Sequence, residues 1–329
     1  MGLGKRDFYK IILFFTGGVG LAFLTYLAGG SIKVYCTTSL RILGVFVFYL
    51  YCQKKRINLL KELASLFFFI TIFYLIMWLL FDIGPFVDTG KSIIIDDLKF
   101  TNYFNIYYRW HDLRKVFGMQ FNSCNGPFLE PGLYMIWINY ALIFELFFRK
   151  KTNYIKAIIL GIAVVSTTST MGAILLCLIL GIYFLYRSKN YMRVVESLPV
   201  SAGVCGILIS IWIERKRSRI ESLTGRLGDM YILIEGILEH PILGNGIGNL
   251  DTTNSFFLYI YDFGLLGLGL VAGWFFNIMK AKTDIMVKCA VIVWTILSLC
   301  NEPIGTYNLF VLTAFCLYTY FKGNCPKII

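Results

Sequence analysis

Apolar runs of about 20 residues recur from one end of this chain to the other, and no other feature narrows its fold so far. A run of that length crosses a hydrocarbon core of about 30 Å as a single helix. Ten such spans are predicted, at 8–28, 34–52, 63–83, 131–148, 154–168, 171–186, 194–213, 254–276, 284–300 and 304–321. The fifth and sixth are short and are joined by the polar turn Ser166-Thr-Thr-Ser-Thr170. Read as one run they would be longer than a single crossing needs. Composition agrees, with 57% of residues hydrophobic and 15% charged, where an average soluble domain carries about 25% charge. The predicted fold class is all-α, a polytopic integral membrane protein of about ten transmembrane helices forming one domain over residues 1–329. No polar stretch is long enough to build a separate soluble core, and no internal repeat or low-complexity tract is present.

The net charge is +12, yet nucleic acid is not the expected partner. The basic residues fall in short clusters at span ends, among them Lys54-Lys55-Arg56 and Arg149-Lys150-Lys151. That is the positive-inside pattern of a membrane protein. With the N-terminus inside, the short inner loops are all basic, both termini are cytoplasmic, and the two long polar segments, 84–129 and 214–253, are external. Lys5-Arg6 ahead of an apolar run looks like a signal peptide, but Tyr26-Leu27-Ala28 is a poor small-x-small cleavage site, so an uncleaved first span is expected. Most of the nine cysteines lie in or beside spans, only Cys124 sits well inside an outer loop, and no C-x-x-C pair occurs. Disulfides and a thiolate metal site are not expected. The two histidines, His111 and His240, are far apart in sequence, and neither a metal nor a cofactor is predicted.

Chemistry is therefore sought in the outer segments. In the second, Leu227, Met230, Tyr231, Ile234, Ile237 and Leu238 recur at helical spacing on one face, with Arg226, Asp229 and His240 near the other. This predicts an amphipathic helix on the bilayer surface or across the mouth of the bundle, stopped by Pro241. Arg226 is placed at its N-terminus with Thr224 as a cap, where a guanidinium and free N–H groups would converge on an anion such as a diphosphate. A plain Arg226–Asp229 or lipid-phosphate pairing accounts for the same spacing. Gly244-Asn-Gly-Ile-Gly248 follows a helix rather than a strand and lacks a Lys-Ser/Thr ending. It is a weak phosphate loop and reads better as a tight turn before re-entry at Asn254.

The first outer segment carries a cationic cluster, Arg109, His111, Arg114 and Lys115, suited to an anionic lipid head or simply to solvent. It ends at Glu130-Pro131, where Pro131 fits a first helical position and Glu130 stands beside the positive end of the span's dipole. Glu130 is either a base or only a helix-start carboxylate. Asp82 and Glu302 lie near outer span ends, within reach of water, whereas Asp262 lies about two turns deeper. Ionisable groups at such depth are costly and often functional, so Asp262 is a proton or cation site or a structural partner.

The order of these features resembles the bacterial O-antigen and capsular polysaccharide polymerases and, more distantly, the O-antigen ligases. The resemblance runs from Arg109 to Phe276. It rests on Glu130-Pro131 after a charged loop, on Thr167-Thr-Ser-Thr-Met-Gly172, on Gly225-Arg226 leading into Pro241-Ile-Leu-Gly-Asn-Gly-Ile-Gly248, and on Asn254 through Gly264 and Gly267. It implies a metal-independent glycosyltransferase of the bacterial plasma membrane, working on its outer face. Such an enzyme moves a growing glycan from undecaprenyl diphosphate onto a lipid-linked repeat unit, alongside a flippase and a chain-length regulator. The family's outer-loop arginine falls on Arg226 and its glycine turn on Gly244, Gly246 and Gly248. The histidine expected of a ligase before Asn254 is Thr253 here, which counts against that activity.

On this reading Arg226, Arg114 and Arg109 supply positive charge to the departing diphosphate. Glu130 or His240 is the base. Arg109, His111, Gly244, Gly246 and Asn254 hold substrate. A flippase or transporter for lipid-linked sugars is the competing reading, favoured by Asp262 and disfavoured by the lack of repeats.

Overall fold

A computed structural model of the chain describes residues 31–55, 57–83, 90–95, 98–110, 113–116, 119–128, 131–149, 151–187, 220–246 and 255–280, with isolated helical positions between 9 and 27 and at 288. The described residues are mostly helical. In chain order the helices are α1 (Ile32–Lys54), α2 (Leu59–Trp78), α3 (Pro131–Ile143), α4 (Tyr154–Ser166), α5 (Thr170–Arg187), α6 (Ile220–Glu239) and α7 (Ser255–Lys280). Two compact units are present. One takes Met1–Leu60, Glu221–Asp284 and Ser298–Ile328; the other takes Lys61–Ile220 with Ile285–Leu297.

Two described helices are long and apolar enough to cross a membrane, Lys61–Ile83 and Pro131–Phe148. Shorter apolar helices lie at Tyr154–Ser166, Met171–Leu185 and Phe257–Gly269, inside three more of the expected spans. Helix α1 coincides with the expected span 34–52. The spans at 194–213 and 304–321 lie outside the described residues, as does 284–300 apart from one helical position. Pro131 is the first residue of α3, as its fixed φ and missing N–H dispose it to be.

The two long apolar helices end alike. Helix α2 runs into a π-helical turn, Leu79–Ile83, and α3 into another, Phe144–Phe148. Each turn carries a carboxylate held against an arginine, Asp82 to Arg109 and Glu145 to Arg149, both at 3.0 Å. Aromatic stacking joins the helices, with Phe67 of α2 lying 4.5 Å from the ring of Trp137 in α3.

The all-helical expectation fails in the first outer segment, which forms five strands. Strands β1 (Lys91–Ile95), β2 (Leu98–Tyr103) and β3 (Tyr107–Trp110) make an antiparallel meander, and β4 (Leu113–Val116) pairs with β5 (Met119–Asn122). The cause lies in residue type. Ile93-Ile94-Ile95 and the aromatic residues of β2 and β3 suit a pleated, half-buried surface, and the turn residues between them close hairpins. Tyr103 pairs with Tyr107 across a turn in which Phe104 and Asn105 have φ of 57° and 58°. Asn102 caps that turn, its Oδ1 accepting from the Asn105 N–H at 2.8 Å.

Candidate functional site

The β meander packs on the end of α2 and on the π-helical turn that follows it. Phe81, Tyr103 and Tyr107 form a buried cluster against which Tyr74, Met77 and Trp78 pack. These helix positions recur every three or four residues, so one face of α2 is covered by the ribbon. Asp82 lies at the edge of this face, its side chain fully buried. It takes a hydrogen bond from the Tyr107 hydroxyl and pairs with Arg109, whose side chain is 14% exposed. Burial, with Asp82 and Cys124 nearby, raises the Tyr107 phenol well above its usual range, so it stays protonated and donates. Asp82 was expected to reach water. The meander instead seals it, and Arg109 is spent on neutralising it rather than offered to a lipid head.

The segment after β5 is pinned on two sides. Trp78 donates its indole N–H to the Asn122 carbonyl at 2.8 Å. The Cys124 N–H donates to the Ser166 carbonyl at 3.0 Å, and Ser123 and Thr168 share a hydroxyl hydrogen bond of 2.5 Å. The loop leading to Pro131 is thus docked onto the polar turn between α4 and α5. Ser169 caps α5, its hydroxyl accepting from the Gly172 N–H at 3.3 Å. Thr168 adopts φ of 49°, uncommon for a β-branched residue, which the contact with Ser123 holds in place. Gly172 meets α3 so closely that a Cβ there would stand 3.1 Å from the Met135 sulfur. Burial pushes the Cys124 thiol up to about 12, so it is inert as a nucleophile.

In the other unit, α7 is broken at Gly264, where φ is 59° and ψ −158°. A broken helix leaves carbonyls without donors on one side and N–H groups without acceptors on the other. The turn after α6 supplies both. Asn245 and Gly246 donate their N–H groups to the carbonyls of Tyr261 and Asp262, at 2.7 and 3.2 Å. Leu265 and Leu266 donate to the carbonyls of Pro241 and Ile242, at 2.9 and 3.3 Å. Asn245 also ties the turn back to α6 through its side-chain amide, which donates to Gly236 at 2.7 Å. Backbone meets backbone here, and only glycine fits. A Cβ at Gly264 would lie 2.4 Å from the Ile242 oxygen, and one at Gly244 would lie 2.5 Å from Asp262. Asp262 is buried beside this clasp, and its Oδ1 has no hydrogen-bond partner among the described residues.

The expected site residues are distributed between the two units. Arg109 and Arg114 belong to one, and Arg226, His240, Gly244 and Gly246 to the other. Arg114 lies in β4 opposite Phe121. His111, Glu130 and Asn254 lie outside the described residues. Helix α6 begins at Ile220, so Thr224 is inside the helix and cannot be its cap. Arg226 is beyond the first four residues whose N–H groups are free, so convergence of backbone donors with its guanidinium does not hold. The apolar stripe is left open, with Tyr231 70% and Leu238 74% exposed while Leu233 is buried. His240 is exposed and directly follows α6, its N–H bonded to Gly236 and its carbonyl to Gly244.

The N–H groups of Gly244 and Gly246 are both consumed within the fold, so they do not form a phosphate cradle, and at Gly244 the missing Cβ allows close backbone approach. Sequence reasoning missed Tyr107 as the partner of Asp82. A single acidic residue near a span end, with a tyrosine-rich loop after it, was the available signal. No protein-family model matches this chain, and neither a curated protein nor a solved structure was found that matches it.

Proposed function

We propose that this chain polymerises polysaccharide repeat units on the outer face of the bacterial plasma membrane, as a multi-pass protein with both termini cytoplasmic. The donor is a glycan on undecaprenyl diphosphate, and the acceptor is a lipid-linked repeat unit. One observation carries the reading. Two of the sequence blocks that resemble polymerases, the glycine turn and the α7 segment, are docked on each other, and a third, the polar turn before Gly172, holds the loop that leads to Pro131. The loop before Glu130-Pro131 is bonded to the Ser166–Thr170 turn through Cys124 and Ser123. The glycine turn after α6 is bonded into the break of α7. Ser123 and Thr168, 45 residues apart, are brought together in this way, which suits a site rather than separate loops.

Arg226 and Arg114 are the charges proposed to stabilise the departing diphosphate. Glu130 and His240 are the candidate bases for the acceptor hydroxyl. His111 and Asn254 keep their proposed substrate contacts. Arg109 passes from substrate binding to positioning, because it already neutralises Asp82. The donor is activated before it arrives, so no nucleotide sugar is needed.

One feature favours a second reading, a transporter or flippase for lipid-linked sugars. Helix α7 is discontinuous and carries buried Asp262, an arrangement that transporters use at ion and substrate sites. Arg226→Ala separates the two. Loss of a charge contact that strengthens in the transition state costs about 3 kcal/mol, or roughly a hundredfold in rate. Cells carrying that variant at matched membrane levels should display single repeat units at the surface and almost no polymer. Surface glycan missing altogether would point to transport, and a normal ladder of glycan lengths would remove Arg226 from the mechanism.

A further inference from the structure

We infer that Asp262 is the binding site of a monovalent cation, a proton or sodium, which holds closed the clasp between the turn after α6 and the break of α7. The site is independent of whether the chain polymerises or transports. Charge is the first argument. From Leu227 to Met279 the chain has no lysine or arginine, yet it carries Asp229, Glu235, Glu239, Asp251 and Asp262. A protein whose net charge is +12 leaves this one long segment without a basic side chain other than His240, which is exposed.

Burial is the second argument. Asp262 is 2% exposed, its Oδ1 accepts no hydrogen bond, and no described side chain forms an ion pair with it. A carboxylate taken out of water without a partner is costly, and a bound positive charge removes that cost. The backbone around it does not compensate. The first half of α7 runs from Ser255 to the break at Gly264, and Asp262 lies in its last turn, where the helix dipole disfavours negative charge. The second half presents N–H groups at its start, but those of Leu265 and Leu266 donate to the carbonyls of Pro241 and Ile242 instead.

The ligand carries a single charge. Among the described residues no three acidic, histidine or cysteine side chains gather, so a divalent ion would lack the oxygen ligands it needs. Glu235 and Glu239, at the end of α6, are exposed. On α7 the Tyr259 hydroxyl is committed across the break, donating to the Gly267 carbonyl at 3.1 Å. Tyr261 packs against Gly236 of α6 so closely that a Cβ there would overlap its ring. Coupling to the clasp follows from position. The carbonyls of Tyr261 and Asp262 accept the N–H groups of Asn245 and Gly246, so the bonds that close the clasp also hold Asp262 under it. Opening returns the carboxylate to water, where it no longer needs the cation.

The test follows amide hydrogen exchange across 241–246 and 264–267 of the full chain in nanodiscs. Sodium chloride is compared with N-methylglucamine chloride at equal ionic strength, over a pH series. One site filled only when the clasp is closed slows exchange by up to about tenfold for each tenfold rise in its cation. Dividing by the exchange of Asp262→Asn removes the pH dependence common to all amides, and Asp262→Ser makes the same comparison if the asparagine variant does not fold. The expected result is slowing in the parent and in Glu239→Gln, and none in the Asp262 variants. Slowing by sodium at fixed pH identifies sodium; slowing as pH falls, indifferent to sodium, identifies the proton. A parent indifferent to both overturns the site, as it would be if Arg41, half-way along α1 of the same unit, already supplied the charge. A response that survives in the Asp262 variants, or is lost in Glu239→Gln, overturns it as well.

Discussion

Gly264 is the residue on which the second unit turns. Its φ of 59° is costly for any residue with a Cβ, and the carbonyl of Ile242 occupies the place that a Cβ would take. Gly264→Ala should therefore strain the backbone and loosen the hydrogen bonds that close the break, at a cost of about 3 kcal/mol. Gly269 lies five residues on, with open space where its Cβ would be, so Gly269→Ala should be neutral or stabilising by about 0.5–1 kcal/mol. Thermal unfolding in detergent compares the two. Equal effects would mean that the break does not depend on Gly264. From the sequence, Gly244 and Gly246 were legible as a tight turn, whereas the break at Gly264 was not, because one glycine inside an apolar run does not announce a kink. That the turn would plug the kink was not legible, since the partners are backbone groups that every residue carries alike.

Among the elements, the attachment of the β meander to α2 concentrates its polar energetics in Asp82, Tyr107 and Arg109. Removing one member of a buried ion pair strands the other, at about 3–5 kcal/mol. Arg109→Leu should accordingly destabilise the protein strongly, and Asp82→Asn in the same chain should recover much of the loss because no buried charge remains. A positioning role requires that recovery to extend to polymer length at matched expression. Were Arg109 to grip diphosphate directly, the double variant would regain stability and still fail to polymerise. Helix existence was legible here, because apolar length alone dictates it, and so was the start of α3 at Pro131. The strands were not. Three isoleucines followed by aromatic residues carry a β signal, but the expectation of a solvated loop outweighed it. The boundary of α6 was missed for a different reason, since Thr224 looks like a cap wherever a helix is assumed to begin beside it.

At the scale of the whole molecule, the proposed sidedness rests on chain connectivity and on where the basic clusters fall. The segment from 84 to 130 leaves the Ile83 end of one long apolar helix and enters the Pro131 end of the next. If both cross, everything between them lies on one side, and Lys54-Lys55-Arg56 and Arg149-Lys150-Lys151 lie on the other. Clusters of that kind close to span ends stay in the cytoplasm. The meander with Asp82 and Arg109 is then extracytoplasmic, the side on which the proposed reaction takes place. For helix α6 an outer location is the expectation from the charge pattern of the sequence alone. A periplasmic phosphatase reporter fused after Gly90 and after Ser222 should be active, and a fluorescent reporter that matures only in the cytoplasm should light up after Lys151. Activity after Ser222 without activity after Gly90 would separate the two outer segments by a membrane. No single site could then contain Arg114 and Arg226, and the charge assigned to the leaving diphosphate would have to come from one unit alone. A cytoplasmic signal at both would invert the protein and withdraw the polymerase reading, because the basic clusters would then face the side from which they are normally excluded.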